Sequence, residues 1–163
     1  MKPKFIDYYM SIAELTAKLS YAVRLQVGAV IVKGNKILAT GYNGMPSGWD
    51  NTCEEKKYMS GDAGGWLNID SINELFPHVD ENGRYVYKTK SEVLHAESNA
   101  ILKVSGSTES SEGSVMFCTH APCIECAKLI YQGGINSLYY RNAYRDTSGL
   151  EFLTKSGVSV FRS

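Results

Sequence analysis

The sequence predicts an α/β fold in three layers: a mixed sheet of about five strands with helices on both faces. Three observations predict it. Apolar runs of strand length recur along the 163 residues. Two of them open as a hairpin, and the later ones alternate with helical patterns. The one long interruption is polar. Strands that alternate with helices build a sheet covered on its faces.

"FIDYYMSIAELTAKLS" (5–20) places Phe5, Tyr8, Tyr9, Ile12, Leu15 and Leu19 at helical spacing, which predicts a helix with that face inward. "VGAVIV" (27–32) and "KILATGY" (36–42) are strands, and Gly34-Asn35 between them predicts a hairpin. From Asn43 to about Glu92 the periodicity dissolves, leaving one short helix over 71–76 capped by Asp70 or Ser71. A loop that long in a small domain is functional or mobile. "HAESNAILKV" (95–104) predicts a helix, "SGSTESSEG" (105–113) a polar connector and "SVMFCT" (114–119) a strand. "CIECAKLIYQ" (123–132) predicts a helix started by Pro122 and stopped by Gly133-Gly134. A strand (137–141), a helix (149–156) and a last strand (158–162) complete the chain.

The length suits one domain, 1–163, with a long insertion at about 51–92. Seventeen basic residues balance seventeen acidic ones, so nothing marks a protein that neutralises a nucleic-acid backbone. A single nucleotide, needing one or two cations, remains open. The N-terminus lacks the apolar run and cleavage site of a signal peptide, and no stretch reaches membrane-span length. A soluble, cytoplasmic protein is expected. In that reducing setting the four cysteines are thiols or metal ligands rather than disulfides.

Cys123 and Cys126 are three positions apart, on one face of a first helical turn. Two thiolates there can hold one metal, and a helix start favours their deprotonation. Zinc needs at least a third protein ligand. His78, His95 and His120 are the candidates, and His95 stands out because Glu97 follows two residues later. At a helix start His95 can face the metal while Glu97 flanks its open position. Three ligands beside a carboxylate suit the activation of water, whose pKa falls to about 7 on zinc, with the carboxylate moving the proton.

His95-Ala96-Glu97 and Pro122-Cys123-Ile124-Glu125-Cys126 match the zinc deaminase signature. With "VGAVIV", "ATGYNGMPSG" (39–48), "HAESNAI", "PCIECAKLI" and "AYRD" (143–146), the chain resembles the deoxycytidylate (dCMP) deaminases over nearly its whole length. The long 51–92 stretch is similar to phage-type members, and for a phage-encoded protein the compartment is the host cytoplasm.

The resemblance implies a cytidine-deaminase-like fold and a hydrolase that converts dCMP to dUMP with one zinc per chain. It implies that Glu97 protonates N3 and later the departing ammonia, with a pKa raised above that of a solvated glutamate. It points to Asn43 as a contact to deoxyribose or base, with Gly41 and Gly44 letting the backbone approach the ligand. Arg24 is the expected phosphate cation, with Arg141 and Arg145 as competitors. Tyr144 stacks on the nucleotide or sits in the core or an interface. Cys118 is expected as a buried thiol. Some phage relatives carry a second, structural zinc, of which Cys53 and His78 could form half. The resemblance further implies a hexamer activated by dCTP and inhibited by dTTP, each with Mg2+, near the Gly41–Gly48 loop. Eleven tyrosines suit subunit contacts. Two rivals stand beside this expectation. One is a deaminase of another cytosine nucleoside, heterocycle or nucleic-acid base. The other is a non-catalytic, zinc-stabilised nucleotide-binding module, for which Glu97 has no use.

Overall fold

A computed structural model describes residues 1–60 and 68–163. The chain runs α1 (Pro3–Ala17), β1 (Gly28–Lys33), β2 (Lys36–Tyr42), β3 (Glu54–Tyr58), α2 (Ile69–Leu75), β4 (His78–Asp80), β5 (Gly83–Thr89), α3 (Ala96–Ser105), β6 (Val115–His120), α4 (Ile124–Gln132), β7 (Ser137–Asn142), α5 (Ser148–Lys155) and β8 (Ser159–Arg162).

Five strands form the main sheet in the order β2-β1-β6-β7-β8. The first two pairings are antiparallel, and β6-β7 and β7-β8 are parallel. Parallel neighbours need crossover connections, and α4 and α5 supply them. The hairpin between β1 and β2 turns on Gly34 and Asn35, at φ 54° and 65°. Two left-handed residues match the twist of the flanking strands.

Period-two alternation divides the sheet between two cores. Ala29, Ile31, Met116, Cys118 and Leu138 pack with residues of α3, α4 and α5 on one face. Val30, Val32, Phe117 and Tyr139 pack with Tyr9, Met10 and Ala13 of α1 on the other. This is the expected three-layer arrangement.

The inward face of α1 differs from the expected one. Tyr9, Met10, Ala13, Thr16 and Ala17 are buried, whereas Tyr8, Leu15 and Leu19 are more than half exposed. A Cβ on Gly28 would lie 2.0 Å from the Ala13 carbonyl oxygen and 2.6 Å from the Ala17 nitrogen. Strand and helix backbones therefore touch, and only small residues fit between them. The helix also begins at Pro3 rather than at residue 5 and ends at Ala17 rather than at 20; proline suits a first turn.

The stretch expected as a loop over 51–92 contains a second sheet, in the order β3-β5-β4, with both pairings antiparallel. Its strands escaped notice because β3 reads "EEKKY" and exposes four of its five residues, so no apolar alternation marks it. The β4–β5 hairpin did carry a signal, Asn82-Gly83, with Gly83 at φ 118°. Helix α2 is capped by Asn68, whose Oδ1 accepts the Ser71 N–H at 2.8 Å, and not by Asp70 or Ser71. The glycine-rich segment 61–67 lies outside the described residues.

Candidate active site

Two helix starts meet at the site. His95 is the N-cap of α3, with an extended backbone (φ −80°, ψ 152°) that frees it from the helical turn. Cys123 is the N-cap of α4, and Cys126 lies in that helix's first turn. Cys123 thus precedes the helix instead of lying within it, and buried Pro122 lies one residue further out. The α5 start packs on this corner: a Cβ on Gly149 would lie 2.1 Å from the Pro122 carbonyl oxygen.

The donor atoms of His95, Cys123 and Cys126 all lie within 4.8 Å of one another. His95 Nδ1 is 3.5 Å from Cys123 Sγ and 3.3 Å from Cys126 Sγ. Donors sharing one tetrahedral zinc, at about 2.3 Å for sulfur and about 2.0 Å for nitrogen, lie roughly 3.5 Å apart, so the set fits that ion. Hydrogen bonds from Cys126 and then His95 hold the Cys123 thiol down to about 3. The same contact with Cys123, helped by burial, pushes Cys126 up. Zinc ligation by both sulfurs calls for two thiolates, so a bound divalent cation would favour ionisation of Cys126 as well.

Glu97 is 4 % exposed beside this set. Burial raises its carboxyl above the ordinary glutamate value, against smaller opposing effects that include His95. Cys118, also fully buried, has its thiol pushed up by desolvation and is the expected inert core residue.

A cavity of about 430 Å³ opens over the donors, within the usual small-ligand range of about 300–1,000 Å³. Arg24, Asn43, Glu97, His120, Tyr144 and Arg145 are among its lining. Tyr144 is exposed at its wall rather than packed in the core. Among the phosphate candidates, Arg141 is paired with Glu14 at 3.2 Å and is not in the lining. Arg24 and Arg145 do line it, and neither forms an ion pair among the described residues.

Asn43 is engaged with the backbone. Its Nδ2 donates to Leu25 O at 2.9 Å and its Oδ1 accepts Val27 N–H at 2.8 Å. One amide hydrogen remains for a ligand. Gly41 serves packing: a Cβ there would meet Ala96 O at 2.1 Å and Ala100 N at 2.6 Å, so β2 lies directly on α3. Gly44 pairs with Leu94 through two backbone bonds, which ties the loop after β2 to the residue preceding His95.

The suggested pairing of Cys53 with His78 is not formed. Cys53 is buried among Ala22, Val93 and Met45, and His78 stacks against Tyr85. Among the described residues, His95, Cys123 and Cys126 are the one group of three metal-type donors.

Sequence reasoning missed Glu54, Thr89 and His120 as cavity residues. Glu54 and Thr89 belong to strands that were not foreseen. His120 was weighed only as a metal ligand, but it stands on the cavity wall, with Nδ1 3.1 Å from Thr119 Oγ1.

Residues 3–142 match the family described as the cytidine and deoxycytidylate deaminase zinc-binding region. The deoxycytidylate deaminase of Enterobacteria phage T4 is 34% identical over 171 residues, covering 93% of this chain and 86% of the phage protein. That of Schizosaccharomyces pombe is 32% identical over 98% of this chain, which spans 44% of the yeast protein's length. The crystal structure of dCMP deaminase from the cyanophage S-TIM5, in complex with dCMP and dUMP, superposes with a TM-score of 0.79. It is 40% identical and covers 100% of this chain and 99% of its own.

Proposed function

Because this chain belongs to the cytidine and deoxycytidylate deaminase family, we propose that it is a zinc-dependent enzyme converting dCMP and water to dUMP and ammonia. The observation that carries the proposal is the buried Glu97 carboxyl beside the His95, Cys123 and Cys126 donors, at the floor of a nucleotide-sized cavity. The relatives named for dCMP deamination support the choice of substrate.

His95, Cys123 and Cys126 would hold the zinc, which supplies a Lewis acid that lowers the pKa of water to about 7. Glu97 takes one proton from the attacking water and delivers it to N3 of cytosine, then takes the proton of the hydroxyl now on C4 and gives it to the amino group, which leaves as ammonia while the C4 carbonyl forms. Its raised pKa suits a group that must be charged and neutral in turn. The water-poor surroundings of a fully buried carboxyl keep that proton from bulk solvent. Asn43 and Tyr144 bound the space for sugar and base, and Arg24 meets the 5′-phosphate.

An ultraviolet assay of purified protein against cytidine, dCMP, dCTP and a short cytosine-containing oligonucleotide tests the assignment. Turnover of dCMP well above the other three is expected. Preference for the oligonucleotide would reassign the enzyme to a nucleic-acid base, and inactivity of the zinc-loaded protein on all four would leave a binding module.

The phosphate contact is read as a difference between substrates. Arg24→Ala is expected to weaken dCMP far more than deoxycytidine, by at least the roughly tenfold associated with a charged hydrogen bond. Equal losses on both would move the phosphate to Arg145.

Regulation and assembly complete the proposal. We infer a homo-oligomer, a hexamer by family resemblance, switched on by Mg2+-dCTP and off by Mg2+-dTTP bound near Gly41–Gly48. Tyr8, Leu15, Leu19, Tyr21, Val23 and Leu25 are all exposed on α1 and the segment after it, which supports burial against a second copy. The expected kinetics are sigmoidal in dCMP, hyperbolic with Mg2+-dCTP and suppressed by Mg2+-dTTP. An active monomer indifferent to both triphosphates would remove this part. A cytoplasmic location accords with the reaction, and no helix among the described residues is long and apolar enough to cross a membrane.

A further inference from the structure

We propose that the strand pair Glu54–Thr89, at the inner end of the inserted sheet, positions Arg24 and so sets the preference for a phosphorylated substrate; this rests on Arg24 being the phosphate cation.

Glu54 and Thr89 face each other in the β3–β5 register. Four of the five β3 residues are exposed, and Glu54 alone is buried, at 6 % exposure. A carboxylate so enclosed must be satisfied by donors. The Val23 N–H donates to both of its oxygens, at 3.1 and 3.2 Å, and the Arg24 N–H to Oε1 at 3.2 Å. The carboxylate therefore grips the main chain at the residue whose side chain enters the cavity. An ionised carboxylate only accepts, which suits two converging N–H groups better than an amide would.

Thr89 takes the other end of the same residue. Its Oγ1 accepts from Arg24 Nη1 at 2.9 Å. A hydroxyl fixes the direction of the guanidinium without neutralising it. Glu54, opposite Thr89 across the strand pair, spends its oxygens on backbone amides and forms no ion pair with Arg24 among the described residues. The cation is thus aimed and still free for an anion.

Asn43 holds the following residues, Leu25 and Val27, from the opposite side. The connection between α1 and β1 is held at Val23 and Arg24 by the insertion and at Leu25 and Val27 by Asn43, just after β2. Among its described residues the insertion buries few apolar side chains, Cys53 and Tyr85, and its contact with Arg24 is made by polar groups. Cys53, just before Glu54, anchors it against Ala22 and Val93.

Steady-state kinetics with dCMP and deoxycytidine on Thr89→Val, Arg24→Ala and the double variant test the clamp. Valine keeps threonine's shape and removes the acceptor. The kcat/KM ratio of dCMP to deoxycytidine is expected to fall about fivefold to tenfold in Thr89→Val, as for loss of one ordinary hydrogen bond, because the cation is misaimed and not removed. The loss should lie mainly in KM, and Thr89→Ser should restore the ratio. In the Arg24→Ala background, adding Thr89→Val should change the ratio no further, because the two act as a unit. Where deoxycytidine turnover is too slow to read, inhibition constants of dUMP and deoxyuridine give the same ratio. Glu54→Gln is expected to shift the ratio in the same direction, and the Thr89 variants carry the test if that protein fails to fold. A ratio unchanged in Thr89→Val, or one that falls equally with and without Arg24, overturns the clamp while Arg24 keeps its role. A ratio unchanged in Arg24→Ala itself overturns the phosphate assignment, and the clamp with it.

Discussion

Glu97→Gln is expected to retain about one zinc per chain and to lose turnover by at least the roughly 10²–10⁴-fold associated with a general acid–base. Glutamine keeps the volume and one carbonyl oxygen but cannot carry a proton. The site encloses Glu97 beside the metal donors, and no other carboxylate lining the cavity stands in for it: Glu54 is tied to the Val23 and Arg24 amides. The loss should therefore appear in kcat, with dCMP binding largely kept. Metal analysis and single-turnover kinetics on the same preparation provide the check. Turnover near the parent value would reduce Glu97 to a structural residue.

Cys126→Ser is expected to lose metal, activity and thermal stability together. Cys126 is 3 % exposed, and serine there is both smaller and a poor zinc ligand at neutral pH. The affinity loss should exceed the roughly 10–100-fold typical of removing a mere outer-shell partner. Because a metal that binds only the folded chain stabilises it by mass action, a chelator should lower the melting temperature of the parent protein and leave that of Cys126→Ser unmoved. Zinc content and melting curves, with and without chelator, measure this directly. Full activity in a metal-free preparation would contradict the zinc assignment outright.

The same two residues show how much was legible in advance. His95-Ala96-Glu97 and Cys123-x-x-Cys126 are local patterns, and each sits at a helix start where local backbone geometry aims the side chains. Short-range rules reach such features. The strands of the main sheet were equally plain, because burial on both faces makes β1 and β6 nearly continuous apolar runs. The hairpin at Gly34-Asn35 follows from the left-handed pair that its turn requires.

Other features are properties of the folded chain. Apolar residues lie all around α1, so periodicity alone did not choose its buried side. The backbone contact of Gly28 with Ala13 and Ala17 chose it and turned Tyr8, Leu15 and Leu19 outward. Gly41 looked like a ligand-loop glycine because it stands in "GYNG", yet what it accommodates is α3. Asn43 looked like a substrate contact, and its amide is largely spent on Leu25 and Val27, residues that only the fold brings near.

The amino-acid sequence by itself determined the layered α/β frame of this protein and the residues proposed for its chemistry: His95, Cys123 and Cys126 as a group of metal-type donors, with the Glu97 carboxyl beside them. The frame follows from local periodicity, and each half of the site is a short pattern at a helix start, His95-Ala96-Glu97 and Cys123-x-x-Cys126, legible despite the 28 positions that separate His95 from Cys123. The tertiary structure alone decided how the cavity is walled. Glu54 and Thr89 sit 30 and 65 positions from Arg24, at strand ends that no local pattern ties to it, and β3 is too polar to betray its one buried residue. Hydrogen bonds between such distant residues leave no period in the sequence, so their partners become visible only when the sheets are in place.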